Sequence, residues 1–237
     1  MTEPTDTVYL IDVDNTLLDN DRIIDDLRQH LEEAFGMASA DRYWEALETL
    51  RTELGYVDYL GALQRYRNDE SLRGMKDSRL LLMSGFLIDY PFADRVYPGA
   101  MEALKALRQR GPVAIVSDGD VVFQPRKVQK AALWEAVEGR VLIYVHKEKM
   151  LDAIAAAYPA KHYVMIDDKL RILSAMKAVW GTRLTTVFVR QGHYALDTQA
   201  IAGYAPADIT VERIGDLVDF QWPAFGSTSG NMTGDMK

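Results

Sequence analysis

Short apolar runs separated by helix-length stretches restrict the fold of this chain more than any other feature of its sequence. Residues 8–13, 113–116, 141–145, 163–166 and 185–189 each read as a buried strand, short and rich in Val and Ile. Helical spacing of apolar residues predicts helices over 100–110, 126–137, 149–157 and 170–180. The stretch "PADITVERIGDLVDF" adds one last short strand and helix. Strands that are apolar throughout and alternate with helices imply a parallel sheet covered on both faces, an α/β fold.

Residues 20–89 break this rhythm. Ile23, Ile24, Leu27, Leu31 and Phe35 recur at helical spacing, and Trp44, Leu47, Leu50 and Leu54 form a second stripe. Residues 56–66 and 80–88 suggest two more helices, and no strand pattern appears. The segment reads as an all-helical insertion of three to five helices. The expected organisation is therefore a core made of residues 1–19 and 90–225, a helical unit over 20–89, and a disordered tail over 226–237, rich in Gly, Ser and Thr. The first six residues are polar and expected to fray.

Composition excludes several classes. The chain has 237 residues and no cysteine, so it has neither a disulfide framework nor a thiolate metal site. That fits a reducing compartment, and a cytoplasmic protein is expected. The N-terminus "MTEPTDTVYL" has no basic region and no long apolar stretch, so no signal peptide is read there. No window approaches ~20 continuous apolar residues, so no membrane partner is expected. A net charge of −8 disfavours nucleic acid. It leaves anionic small molecules open, because a bound cation reverses the local field. The oligomeric state is not legible.

In open parallel sheets ligands bind beyond the carboxyl ends of the strands. Asp12 and Asp14 follow the first predicted strand, Ser117 the second, Lys147 the third, and Asp167 and Asp168 the fourth. These residues supply the hard oxygens that Mg²⁺ prefers, a nucleophilic carboxylate, and a cation to offset its repulsion from phosphate. Asp12 is the candidate nucleophile and also a metal ligand. Asp14 is the candidate general acid and base, and its carbonyl offers a further metal ligand. Ser117 and the amides of Asp118 and Gly119 are candidates for binding phosphate oxygens. Lys147 would screen charge, with Lys149 the alternative, and Asp167 and Asp168 would complete the metal site. Each alone has an ordinary explanation: a cap, a solvated lysine, an acidic turn. Their joint position at four strand ends is what points to a site.

The segments "DVDNT", "VAIVS", "HKEK" and "VMIDD", in that order, resemble the motifs of the haloacid dehalogenase-like superfamily. The likeness covers the core segments and not the insertion. It implies a Rossmann-like core, an Mg²⁺-dependent aspartyl-phosphate mechanism, and a helical cap formed by the insertion. The superfamily's phosphatases and phosphomutases carry the second aspartate and its dehalogenases proper do not, so Asp14 makes the chain similar to the phosphatases that hydrolyse small phosphate esters; a phosphomutase on the same core, or a catalytically silent phosphate-binding regulatory protein, is the alternative. By register with the family, Asp168 would ligate the metal directly and Asp167 support it. Other residues read as ordinary: His30 as surface, His146 as local packing, His193 as closing a turn, and Trp44, Trp134 and Trp180 as core or cap packing.

Overall fold

Within each central strand, odd and even residues go to different layers. Tyr9 and Ile11, Val113 and Ile115, and Val164 and Ile166 face one apolar cluster. Val8 and Leu10, Ala114 and Val116, and Tyr163 and Met165 face another. A strand with both faces apolar is stable only if helices cover both sides. The computed structural model, which describes residues 5–68, 78–223 and 225, has that arrangement.

Six strands form one parallel sheet: β1 (Thr5–Ile11), β2 (Val113–Asp118), β3 (Val141–Tyr144), β4 (Ala160–Asp167), β5 (Leu184–Val189) and β6 (Ile209–Val211). Their order is β3-β2-β1-β4-β5-β6. The chain steps outward from β1 through β2 to β3, then crosses back to β4 on the other side. This reversal opens a crevice at the carboxyl ends of β1, β2 and β4. Register levels those ends, since Ile11 stands opposite Ile115 on β2 and Ile166 on β4.

Between β1 and β2 run α1 (Asn20–Phe35), α2 (Met37–Leu54), α3 (Tyr59–Arg67), α4 (Ser78–Asp89) and α5 (Ala100–Arg108). The first four occupy the insertion, which contains no strand among the described residues. Asp19 caps α1 by accepting the Arg22 amide at 3.0 Å. Leu104 and Leu107 of α5 join the same core face as Ile11. After β2 come α6 (Phe123–Lys130) and α7 (Leu133–Ala136), then α8 (Leu151–Ala157), α9 (Leu170–Trp180), α10 (Gly192–Leu196) and α11 (Thr198–Ile201). Helices α8 and α9 cover the second face through Leu151, Ile154, Ile172, Leu173 and Met176. No described helix is long and apolar enough to cross a membrane.

Several expectations need correction. Thr5 and Asp6 are not frayed: the ladder starts there, with the Thr5 amide on the Pro159 carbonyl at 3.1 Å. Ser117 and Asp118 lie within β2, not after it. The helix expected over 126–137 is two helices, broken where Ala132 takes a left-handed φ of 57°. The last expected helix is a 3₁₀ turn, Ile214–Leu217. In α2 the buried stripe is Ala40, Tyr43 and Leu47, while Leu54 is 40% exposed. His30 is half-buried and stacks on Phe86, ring centroids 3.9 Å apart. The tail expected over 226–237 lies outside the described residues.

A polar cluster ties α1 to the segment that follows α4. Asp26 accepts hydrogen bonds from Tyr90 Oη and from Arg95 Nη2, the latter at 2.7 Å. Burial works against this charge, but the bonds from Tyr90 and Arg95 outweigh it and hold the carboxyl below the usual range. Such a group stabilises the fold above its unfolded pKa, and the contribution is lost as pH falls through the folded value. Asp26→Asn should therefore cost ~1 kcal/mol at pH 7 in urea unfolding. The deficit should shrink as pH drops below ~4. A deficit independent of pH would contradict this account.

Candidate active site

The "DVDNT" segment leaves β1 through a tight turn. The Asp12 amide still donates to the Ile166 carbonyl at 3.0 Å, so its side chain is set by the last rung of the ladder. Asn15 then adopts a left-handed φ of 60°, a conformation asparagine tolerates better than most residues. The Leu17 and Leu18 amides fold back to the Val13 carbonyl at 2.8 and 2.9 Å. Asn15 Oδ1 accepts the Asn20 amide at 3.0 Å, tying the turn to the start of α1. Gly192 packs against this turn, where a Cβ would lie 2.5 Å from the Asn15 side chain. Only glycine fits at that approach.

Asp12, Asp167 and Asp168 are buried, and their carboxylate oxygens come within 4.8 Å of one another. Lys147 is buried with them. Its Nζ donates to Asp12 and ion-pairs with Asp167 Oδ2 at 2.6 Å. Its amide donates to Asp118 Oδ1 at 2.7 Å. Lys149 is exposed and makes no such contact. Thr16 links two motifs, because its Oγ1 accepts the Asp168 amide at 3.1 Å and lies 3.4 Å from Asp12 Oδ2. Neither carboxylate oxygen of Asp168 accepts a hydrogen bond, although both are buried.

The electrostatics follow from burial. Burial pushes the Asp12 carboxyl up to about 6, against the pull of Lys147 and with repulsion from Asp167 added. Burial likewise raises Asp168 well above the carboxylate range, partly offset by Lys169, and it raises Asp118. For Lys147 burial favours the neutral form, but Asp12, Asp167 and Asp118 prevail and hold it above its ordinary value. Lys169 is held up in the same way, chiefly by Asp168. Three buried carboxylates thus face two lysines. Two orphaned oxygens on Asp168 and an all-oxygen donor set fit a hard divalent cation.

The remaining predicted residues are placed differently. Asp14 is outside the carboxylate cluster, and its Oδ1 accepts from Lys127 Nζ at 2.7 Å. Ser117 is buried, and its Oγ accepts from Gln124 Nε2 at 3.0 Å. The Gly119 amide is not free for a phosphate, because it donates to the Tyr144 carbonyl at 2.8 Å. Sequence spacing could not reveal this, since β3 supplies the acceptor. Glycine at 119 serves instead to admit Gln124, whose Cβ would sit 2.7 Å from an added Cβ.

A cavity of about 620 Å³ opens beside the strand ends. Asp14, Asp118, Gly119, Gln124 and Lys169 line its core side, while Asp12, Lys147, Asp167 and Asp168 are buried and are not among its lining residues. Arg28, Trp44, Arg51, Tyr56 and Tyr59 line it from the insertion. Trp44 is thus a cavity residue, stacked under Arg28 at 4.5 Å, rather than core packing alone. His146 also lines the cavity. His193 lines it and pairs with Asp21 of α1 through Nδ1 at 2.6 Å, so it does more than close a turn. Lys127, Lys169 and Gln124 escaped the sequence reading. Nothing in "FQPRKVQK" marks Lys127 as buried, and only its contacts reveal it.

A family model of haloacid dehalogenase-like hydrolases matches residues 7–179. The chain is 65% identical to a protein of Burkholderia xenovorans LB400 described as a haloacid dehalogenase-like hydrolase. That likeness covers 92% of this chain and 100% of the other, with a TM-score of 0.85. An L-2-haloacid dehalogenase shares the fold at 17% identity, over 90% of this chain and 98% of its own, TM-score 0.64. So does a protein of Thermotoga maritima described as a β-phosphoglucomutase, at 16% identity, over 90% and 96%, TM-score 0.58. No curated protein matches.

Three carboxylates buried against two lysines leave excess negative charge, which destabilises the metal-free protein. Asp168→Asn should raise Tm in EDTA by about 2–4 °C for each kcal/mol of strain relieved. Added Mg²⁺ should raise the Tm of the wild type and leave that of the variant unmoved. A variant less stable than wild type in EDTA that keeps its Mg²⁺ response would show that Asp168 is not a ligand.

Proposed function

The chain belongs to the haloacid dehalogenase-like hydrolases, and on that premise we propose that it is a Mg²⁺-dependent phosphomonoesterase of small phosphorylated metabolites. The observation that carries this reading is the second carboxylate. Asp14 follows the buried Asp12 by two residues and stands at the cavity wall. A phosphate ester leaves as a poor alkoxide and needs a proton, which a carboxyl at that point can deliver.

The roles follow from the contacts. Asp12 attacks phosphorus with one carboxylate oxygen, the ester P–O bond breaks, and Asp14 gives its proton to the departing alkoxide. Asp14, now a carboxylate, takes a proton from water, and the water oxygen attacks phosphorus. The bond from phosphorus to Asp12 breaks and inorganic phosphate leaves. Lys147 holds the Asp12 carboxylate in place and offsets its repulsion from the phosphoryl group. Ser117 Oγ accepts from Gln124 and donates to the Asp118 carbonyl at 3.3 Å, a long bond it would exchange for one to a phosphoryl oxygen. Asp12, Asp168 and the Asp14 carbonyl would hold Mg²⁺, with Asp167 supporting through Lys147. When bound, the ion supplies positive charge that lowers the barrier between two anions. The helical insertion acts as the cap that closes the site, since its residues form one wall of the cavity. The net charge of −8 supports a small substrate rather than nucleic acid.

A phosphate-release screen over metabolite phosphoesters, with and without Mg²⁺, tests the proposal. Wild type should release phosphate only with the ion. Asp12→Asn should lose at least ~10³-fold in kcat, and Asp14→Asn ~10²-fold or more. Chloride release from a 2-haloacid with no phosphate release would replace this reading with dehalogenation. Turnover by Asp12→Asn would remove the nucleophile assignment.

A further inference from the structure

One buried cation has no part in the mechanism above. Lys127 projects from α6 and its side chain is 2% exposed. Burying an ammonium group costs several kcal/mol unless partners compensate. Here they do: Nζ donates to Asp14 Oδ1 at 2.7 Å and to Asn20 Oδ1 at 2.9 Å. It also lies 5.5 Å from the centroid of the Phe123 ring. Nζ is therefore fixed from α6, from the β1 turn and from the first residue of α1.

Asp14 depends on that anchor. Its backbone is set by the Asn15 turn, but the carboxylate is half-buried, at 23% exposure. Among the described residues Lys127 is the one group hydrogen-bonded to it. Lys127 takes Oδ1, and the side chain still lines the cavity. A proton donor acts only when held within hydrogen-bond reach of the leaving oxygen, and misplacement by about 1 Å costs on the order of 10²-fold.

We propose that Lys127 is a positioning residue that fixes the Asp14 carboxylate for proton transfer to the leaving group and couples its orientation to the first turn of α1. The assignment rests on the phosphomonoesterase reading. It predicts an effect that varies with the leaving group. An alkoxide needs Asp14's proton to depart, whereas p-nitrophenolate is stable without one.

The test compares wild type with Lys127→Met, which keeps the length and removes the charge. The substrates are p-nitrophenyl phosphate and the best alkyl phosphate from the screen. Lys127→Met should lose roughly 10–100-fold in kcat/KM, which reports the step that expels the leaving group, on the alkyl ester and less than about 3-fold in kcat/KM on p-nitrophenyl phosphate; hydrolysis of the aspartyl-phosphate is common to both esters and drops out of this ratio. The Mg²⁺-induced rise in Tm should stay near wild type, and Lys127→Arg should recover part of the loss. In an Asp14→Asn background Lys127→Met should cost nothing further, since the residue acts through Asp14. Equal losses on both esters, no loss, or an undiminished loss in the Asp14→Asn background would each overturn the assignment. A variant too unstable to assay shows a structural role and overturns it as well. A wild type that hydrolyses neither ester would overturn the phosphomonoesterase reading, and this assignment with it.

Discussion

The Lys147 ammonium, bound between Asp12 and Asp167, is the contact on which the arrangement at the strand ends depends. It joins the end of β1 to the end of β4, and its backbone amide adds Asp118 at the end of β2. Without it three buried carboxylates would repel one another at close range in a medium that screens poorly. Even with Lys147 and Lys169 present, burial lifts the Asp12 carboxyl to about 6, and repulsion from Asp167 and Asp14 adds to it. A core that keeps such a cluster gives up stability, and natural chains tolerate that where chemistry requires it.

The site is held from two directions. The sheet fixes Asp12 and Asp167 through backbone register, which is rigid. The turn over Asp14 and Asn15 is fixed by side chains that reach the insertion: Asn15 to the amides of Asn20 and Asp21, and Lys127 to Asn20. On the far side α10 adds Tyr194 to Arg51, at 2.9 Å, and His193 to Asp21. The position of Asp14 therefore belongs partly to the core and partly to α1. A movement of the insertion would be felt at Asp14 before it reached Asp12.

Much of the fold was legible because burial imposes period. Residues 170–180 read as a helix and are one, since Leu170, Leu173 and Met176 follow one face. The strand cores read well for the same reason. Errors fell where long-range pairing or local backbone decided. Thr5 and Asp6 are polar yet lie in β1, because Ala160 offers them a ladder partner. The break at Ala132 has no glycine or proline to announce it. At the strand ends, Asp12 and the pair Asp167 and Asp168 were legible as candidates, and the lysine only as Lys147 or Lys149. Gly119 was misread, because the acceptor of its amide lies on β3.

The sequence by itself determined the alternation that makes a parallel sheet and the set of acidic, hydroxyl and basic groups at its carboxyl edge. Those features are local, written in periodicity and in the residues that follow each apolar run. Only the tertiary structure decided which lysine meets Asp12, that Asp168 keeps two unpaired oxygens, and that Lys127 grips Asp14 from 113 residues away in sequence. Such choices depend on distance and desolvation between segments remote in the chain, and no local pattern encodes either.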